Sequence, residues 1–220
     1  MLDPDTLLSS LITWIPLVLS LSVHEWAHAW AAWRLGDDTA SLQGRMTLNP
    51  LAHIDPIGTV LLPLLGVPFG WARPVPVNPL RFRSGVNMRR GMMLTALAGP
   101  VSNLALAVLG TLGLALLVRF APLFGERAIT FVPLLQLVIG LNVVLATFNL
   151  FPIPPLDGSR IADYLMPAPL RPLWESFAQL GPFALLGLIL LPRMLHVDLL
   201  AWPMQAMNSL LEVFLKLLGV

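Results

Sequence analysis

Leu17-Val18-Leu19-Ser20-Leu21-Ser22-Val23-His24-Glu25-Trp26-Ala27-His28-Ala29-Trp30 sets two imidazoles and a carboxylate inside an apolar run. On a helix, His24 and His28 lie one turn apart on the same face. Two such rings can hold one Zn²⁺, and the intervening Glu25 is placed to take a proton from a water at the metal. The run extends from residue 7 to residue 33, long enough to cross a bilayer core. Ionisable groups at that depth are costly unless they face a cavity, a partner or a metal. The stretch therefore predicts a hydrolytic zinc site built into a membrane helix.

The composition points the same way. Of 220 residues, 56% are hydrophobic and 11% charged, against about 25% charged in ordinary soluble domains. Mean hydropathy is +0.78. An all-α integral membrane protein is the class this implies, a bundle of four to six transmembrane helices. The expectation is a single membrane-embedded domain over 1–220, with a core at 7–160 and C-terminal helices at 176–219. A net charge of +1 gives no footing for nucleic acid. Cysteine is absent, so a zinc ion must be held by His and carboxylate. Met1-Leu2-Asp3-Pro4-Asp5 lacks a basic n-region, so the first apolar segment is expected to stay in the mature chain.

Four segments read as full spans: 7–33, 91–119, 130–151 and 176–192. Segment 56–70 is shorter and holds Gly58, Pro63, Gly66, Pro68 and Gly70, which suits a half-spanning element. Segment 199–219 places Gln205, Asn208, Ser209, Glu212 and Lys216 on one face, as an interfacial helix or an inward-packed span would. Arg34, Arg45, Arg73, Arg81, Arg83, Arg89 and Arg90 all fall between the first two spans. The positive-inside rule puts that segment in the cytoplasm, provided 56–70 does not cross. The same parity places 152–175, with Arg160 and Arg171, inside as well.

Parity also supplies the third ligand. Asn149-Leu150-Phe151-Pro152-Ile153-Pro154-Pro155-Leu156-Asp157-Gly158 leaves the third span on the side of His28. Asp-Gly alone reads as a turn. Beside His-Glu-x-x-His, Asp157 completes a His₂-carboxylate set with one position left for water, as catalytic zinc sites require. Ala98-Gly99-Pro100-Val101-Ser102-Asn103 brings a polar amide to similar depth.

These motifs, taken in order, resemble the site-2 protease family of intramembrane zinc metalloproteases. The stretches Leu48-Asn49-Pro50, His53-Ile54-Asp55-Pro56 and Trp71 to Pro79 are similar to its compact bacterial members. The resemblance implies His24, His28 and Asp157 as ligands of one zinc per chain and Glu25 as the general base. It also implies Asn149 and Asn103 as groups that bind substrate or stabilise the transition state. It further implies a small membrane-associated β-element between the first and second full spans, with no PDZ or CBS module. Strands at 42–48 or 71–77 would hold an unwound transmembrane substrate by β-addition. The implied setting is the cytoplasmic membrane, with the active site toward the cytoplasm and a transmembrane protein or peptide as substrate. Two other classes compete: a divalent-cation transporter using the same ligands, and a non-catalytic membrane scaffold. Glu25 at its motif position and the lack of further acidic groups along a pathway count against transport. His53 reads as a polar contact near the β-element and His196 as an outer-loop residue.

Overall fold

The computed structural model describes residues 4–61, 70–124, 130–181 and 183–187, and beyond them 201, 205, 206, 208, 209, 212, 213 and 216. The helices that place the site are, in order, α1 (Pro4–Leu35), α2 (Thr39–Leu42), α3 (Met88–Phe124), α4 (Val132–Asn149), α5 (Asp157–Leu165) and α6 (Arg171–Gln179). Helix α3 is central and packs along α1, α4 and α5. Gly36 ends α1 because the chain turns there with φ 112°, a conformation costly for any residue with a Cβ. Its N–H bonds the Trp33 carbonyl at 3.0 Å and the next N–H, of Asp37, bonds Ala32 at 2.9 Å.

The distribution of side chains is inverted relative to a soluble bundle. Among the described residues, the buried positions of α1, α3 and α4 hold mostly small and polar side chains, such as Ala27, Ala32, Ala107, Ala146, Ser20, Ser22, Asn103, Thr111 and Asn142, with Val18, Leu21, Leu114 and Val143 among the larger apolar ones. Large apolar groups face outward, with Ile12 50%, Leu109 62% and Leu116 58% exposed. Small residues let helix backbones approach when lipid already solvates the apolar faces. At Gly110 a Cβ would lie only 2.9 Å from Ile139 Cγ1, so α3 and α4 nearly touch. Two described helices are long and apolar enough to cross a membrane, Met88–Ala121 and Val132–Asn149. They match the expected spans 91–119 and 130–151. Helix α1, 32 residues long, covers 7–33 as one helix through Pro16.

Two expectations are not confirmed among the described residues. Segment 176–192 does not begin as one continuous helix, because α6 stops at Gln179 and Gly181 turns with φ 30°. The β-element is not seen either: no strand forms among the described residues of 34–90. The physical reason is that side chains, and in one case a distant loop carbonyl, take the backbone groups a ladder would use. Around 71–75, Thr59 Oγ1 donates to the Trp71 carbonyl at 2.7 Å, and Arg45 Nη2 donates to the carbonyls of Arg73 at 2.6 Å and Pro74 at 3.4 Å. The Arg73 N–H goes to the His53 carbonyl at 2.9 Å, and the Val75 N–H to Glu25. Pro74 and Pro76 have no N–H to offer. In the other expected strand, the Thr47 carbonyl accepts from His53 Nε2 at 2.8 Å. His53 is thus a buried brace of its own loop. Buried Asp37 fastens the far end, accepting from the N–H of Thr39 at 3.0 Å and of Asn78 at 2.6 Å. Most of 56–70, most of 199–219, the end of 176–192 and His196 lie outside the described residues.

Candidate metal centre

Helix α1 carries His24 and His28 on its inner face, both buried, with ring centroids 4.5 Å apart and edge to face. Their Nε2 atoms are 3.0 Å apart. Asp157, the first residue of α5, brings Oδ2 to 3.2 Å from His24 Nε2 and 3.3 Å from His28 Nε2. Glycine makes both approaches possible. A Cβ on Gly99 would lie 2.5 Å from His24 Cε1, His28 Cε1 and His28 Nε2, so the rings rest on bare backbone of α3. A Cβ on Gly158 would lie 2.2 Å from the Leu150 carbonyl oxygen and 2.4 Å from that of Phe151. That contact folds the start of α5 back onto the beginning of the preceding loop, just after α4, and aims Asp157 inward. Farther along α5, Asp163 lies 3.9 Å from Arg89 of α3 and 3.7 Å from Arg171 of α6.

The donor atoms fit a metal ion. His28 Nδ1 lies 2.7 Å from the Thr95 carbonyl, which can only accept, so Nδ1 carries a proton and in the neutral ring that a metal requires Nε2 holds the lone pair. His24 Nδ1 lies 2.6 Å from Asn103 Oδ1, with the same consequence once the orientation of that amide is fixed by its other partner. Two lone pairs and a carboxylate oxygen then face one another, and buried Asp157 Oδ2 has no hydrogen-bond donor. A cation is what reconciles them. Tetrahedral ligands at about 2.0–2.1 Å from zinc are separated by roughly 3.3 Å, close to the three separations found here. These residues are the one His/Asp/Glu group among the described residues assembled closely enough for a metal ion.

Glu25 is buried beside this cluster, and its Oε2 accepts the Val75 N–H at 2.7 Å. That bond fixes the carboxylate's direction and leaves its second oxygen available. Asn103 meets His24, but its Nδ2 is already given to Asn142 at 2.9 Å. Asn149, the last residue of α4, turns its amide back to the Leu145 carbonyl at 3.0 Å. The structure thus gathers His24, Glu25, His28, Asn103 and Asp157, and leaves Asn149 bonded within its own helix. Sequence reasoning missed Asn142, the Thr95 carbonyl and the Val75 N–H. Asn142 had a signal of its own, a lone amide in an otherwise apolar span; backbone groups carry none.

Comparison with known proteins agrees with the geometry. The profile of peptidase family M50 matches residues 124–191, which contain Asn149 and Asp157. A Bacillus subtilis (strain 168) protein named as a zinc metalloprotease, YwhC, is 40% identical over 203 residues, covering 91% of this chain and 89% of its own length. The chain belongs to peptidase family M50. The residues left outside the YwhC match are fewer than the 23 that precede His24, so the match takes in both ends of the metal cluster. Proteins named as the zinc metalloprotease Rip2 are also similar. That of Mycolicibacterium smegmatis (strain ATCC 700084 / mc(2)155) is 33% identical over 164 residues, 71% of this chain and 58% of its own. That of Mycobacterium tuberculosis (strain ATCC 25618 / H37Rv) is 33% identical over 177 residues, 79% of this chain and 63% of its own. The chain therefore spans less than two thirds of Rip2. No solved structure matches. Membership makes this chain a membrane-embedded zinc metalloprotease, and the transporter and scaffold alternatives are not favoured.

Proposed function

We propose that this M50 peptidase hydrolyses peptide bonds of transmembrane proteins within the bilayer, at a zinc ion held by His24, His28 and Asp157. The observation that carries the reading is the convergence of three buried ligand atoms beside Glu25 of α1. A zinc ion held by these residues would supply Lewis acidity, lowering the pKa of a water and polarising a scissile carbonyl. Glu25 takes the proton of the attacking water and returns it to the leaving amine. Its bond to the Val75 N–H keeps the carboxylate aimed during both transfers. Asn103 orients His24, since both ends of its amide are committed to protein groups. Asn149 reaches substrate only by releasing Leu145, a turn of one side chain at the end of α4.

In the proposed topology, residues 34–90 and 152–175 face the cytoplasm, four spans form a single domain, and the site opens toward the cytoplasmic side of the cell membrane. His28 lies six residues before Arg34, or roughly 9 Å along the helix, which sets the zinc below the membrane surface. The test is cleavage of a labelled single-span substrate in liposomes by the wild type and by Glu25→Gln. Loss of cleavage in Glu25→Gln with zinc retained is expected. Equal cleavage by both would overturn the reading.

A further inference from the structure

For His24 to bind a metal through Nε2, its proton must sit on Nδ1. The partner of Nδ1 is an amide, and an amide can be turned either way. With oxygen toward the ring, Asn103 accepts the Nδ1 proton and leaves Nε2 free. With nitrogen toward the ring, it donates to Nδ1, and the proton moves to Nε2 and closes that atom to a cation. Nothing in the His24–Asn103 pair alone decides between them.

The decision is made two residues away. Asn142 of α4 lies at the centre of the bundle with no exposed surface, as does Asn103. Its amide nitrogen sits 2.9 Å from the Val138 carbonyl and 2.9 Å from Ser20 Oγ of α1. A carbonyl only accepts, so that end of Asn142 must be the NH₂ group. Its oxygen is then forced toward Asn103, 2.9 Å away. Asn103 must answer with its own NH₂, which leaves its oxygen for His24 at 2.6 Å. Reversing either amide would bring like groups face to face where neither side chain has any exposed surface, at a cost typical of unsatisfied buried polar groups.

We propose that Asn142 is a positioning residue for the metal centre. By accepting from Asn103 it fixes the His24 tautomer, relaying the polarity of the Val138 carbonyl through two amides on two helices. His28 obtains the same result in one step from Thr95, so both imidazoles are ultimately set by backbone carbonyls. Ser20 takes the second proton of the Asn142 NH₂ and returns the relay to α1, the helix that bears both histidines. This inference rests on the reading of His24 as a zinc ligand.

The test compares zinc affinity of purified full-length chain, by competition with a chromophoric chelator, across a cycle of variants. Asn142→Leu keeps the volume and removes the acceptor, and zinc affinity should fall about 10- to 100-fold, as for lost outer-shell partners of metal-binding histidines. In an Asn103→Asp background the carboxylate can only accept from His24, so Asn142→Leu should then change affinity by less than about two-fold. An equal loss in both backgrounds would mean a packing effect and overturn the relay, and so would no loss in either. Should these variants fail to fold, ¹⁵N-histidine spectra of the metal-free wild type read the tautomer directly. Nδ1–H on His24 is expected, and Nε2–H would refute the relay. His24→Ala separates the two readings: full zinc affinity there would refute the ligand assignment itself, whereas loss there with none in Asn142→Leu would refute the relay alone.

Discussion

Gly99→Ala adds one methyl group at the floor of the metal centre. The new carbon would stand 2.5 Å from three imidazole atoms, two on His28 and one on His24. Carbon pairs prefer about 3.5–4.0 Å, so the rings or the helices must give by roughly 1 Å. Metal sites hold their ligand distances to about ±0.2 Å, which makes the displacement several times the tolerance. Overpacking of this kind costs about 1–3 kcal/mol. Since Ala is about 1 kcal/mol better than Gly within a helix, α3 itself is not weakened. The expected outcome is a folded chain whose zinc affinity falls about 5- to 150-fold. The assay is chelator competition on purified protein, with helicity followed by circular dichroism. Gly140→Ala is the control: its Cβ would meet nothing within 4 Å, and affinity should stay unchanged. Wild-type zinc affinity in Gly99→Ala would refute the claim that the rings rest on that backbone.

Asp157→Ala should strip most of the metal from purified chain, and full occupancy in elemental analysis would remove Asp157 from the site. Gly158→Ala meets backbone oxygens rather than movable side chains, so it should lower both zinc content and thermal stability, the latter by about 1–3 kcal/mol; unchanged values for both would mean the loop is not seated as described. Glu25→Gln should reduce hydrolysis by about 10²- to 10⁴-fold while zinc content holds, and comparable proteolytic rates would exclude Glu25 as the base. A cysteine at Ser84, in a chain with no native thiols, should react with a membrane-impermeant reagent only from the cytoplasmic side, and labelling from outside alone would reverse the proposed topology.

The metal centre was legible where its geometry is local. Four-residue spacing alone puts His24 above His28, and span parity alone brings Asp157 to their side. The connection between α1 and α3 was not legible, because its bonds join distant positions. Glu25 holds Val75 50 residues away, Asp37 holds Asn78 across 41, and Arg45 holds Arg73 across 28. Residues such as Thr47 and Val75 look like strand formers, yet their backbone groups are claimed by side chains that no local pattern announces. The amides of Asn103 and Asn142 fall between these cases. Each is conspicuous in its apolar run, but only the folded bundle reveals that they bond to one another.

The proposed ligands sit at distant points of the chain. His24 and His28 lie on the first helix, and Asp157 begins the fifth, with α3 packed against both. A bound ion is therefore also a cross-link that closes a very long loop. Such a clasp stabilises the closed form in proportion to the logarithm of free metal over its dissociation constant, about 4 kcal/mol at a thousand-fold excess. Chelation should consequently free the start of α5 before it disturbs the spans, with amides near 156–160 the first to exchange with deuterium.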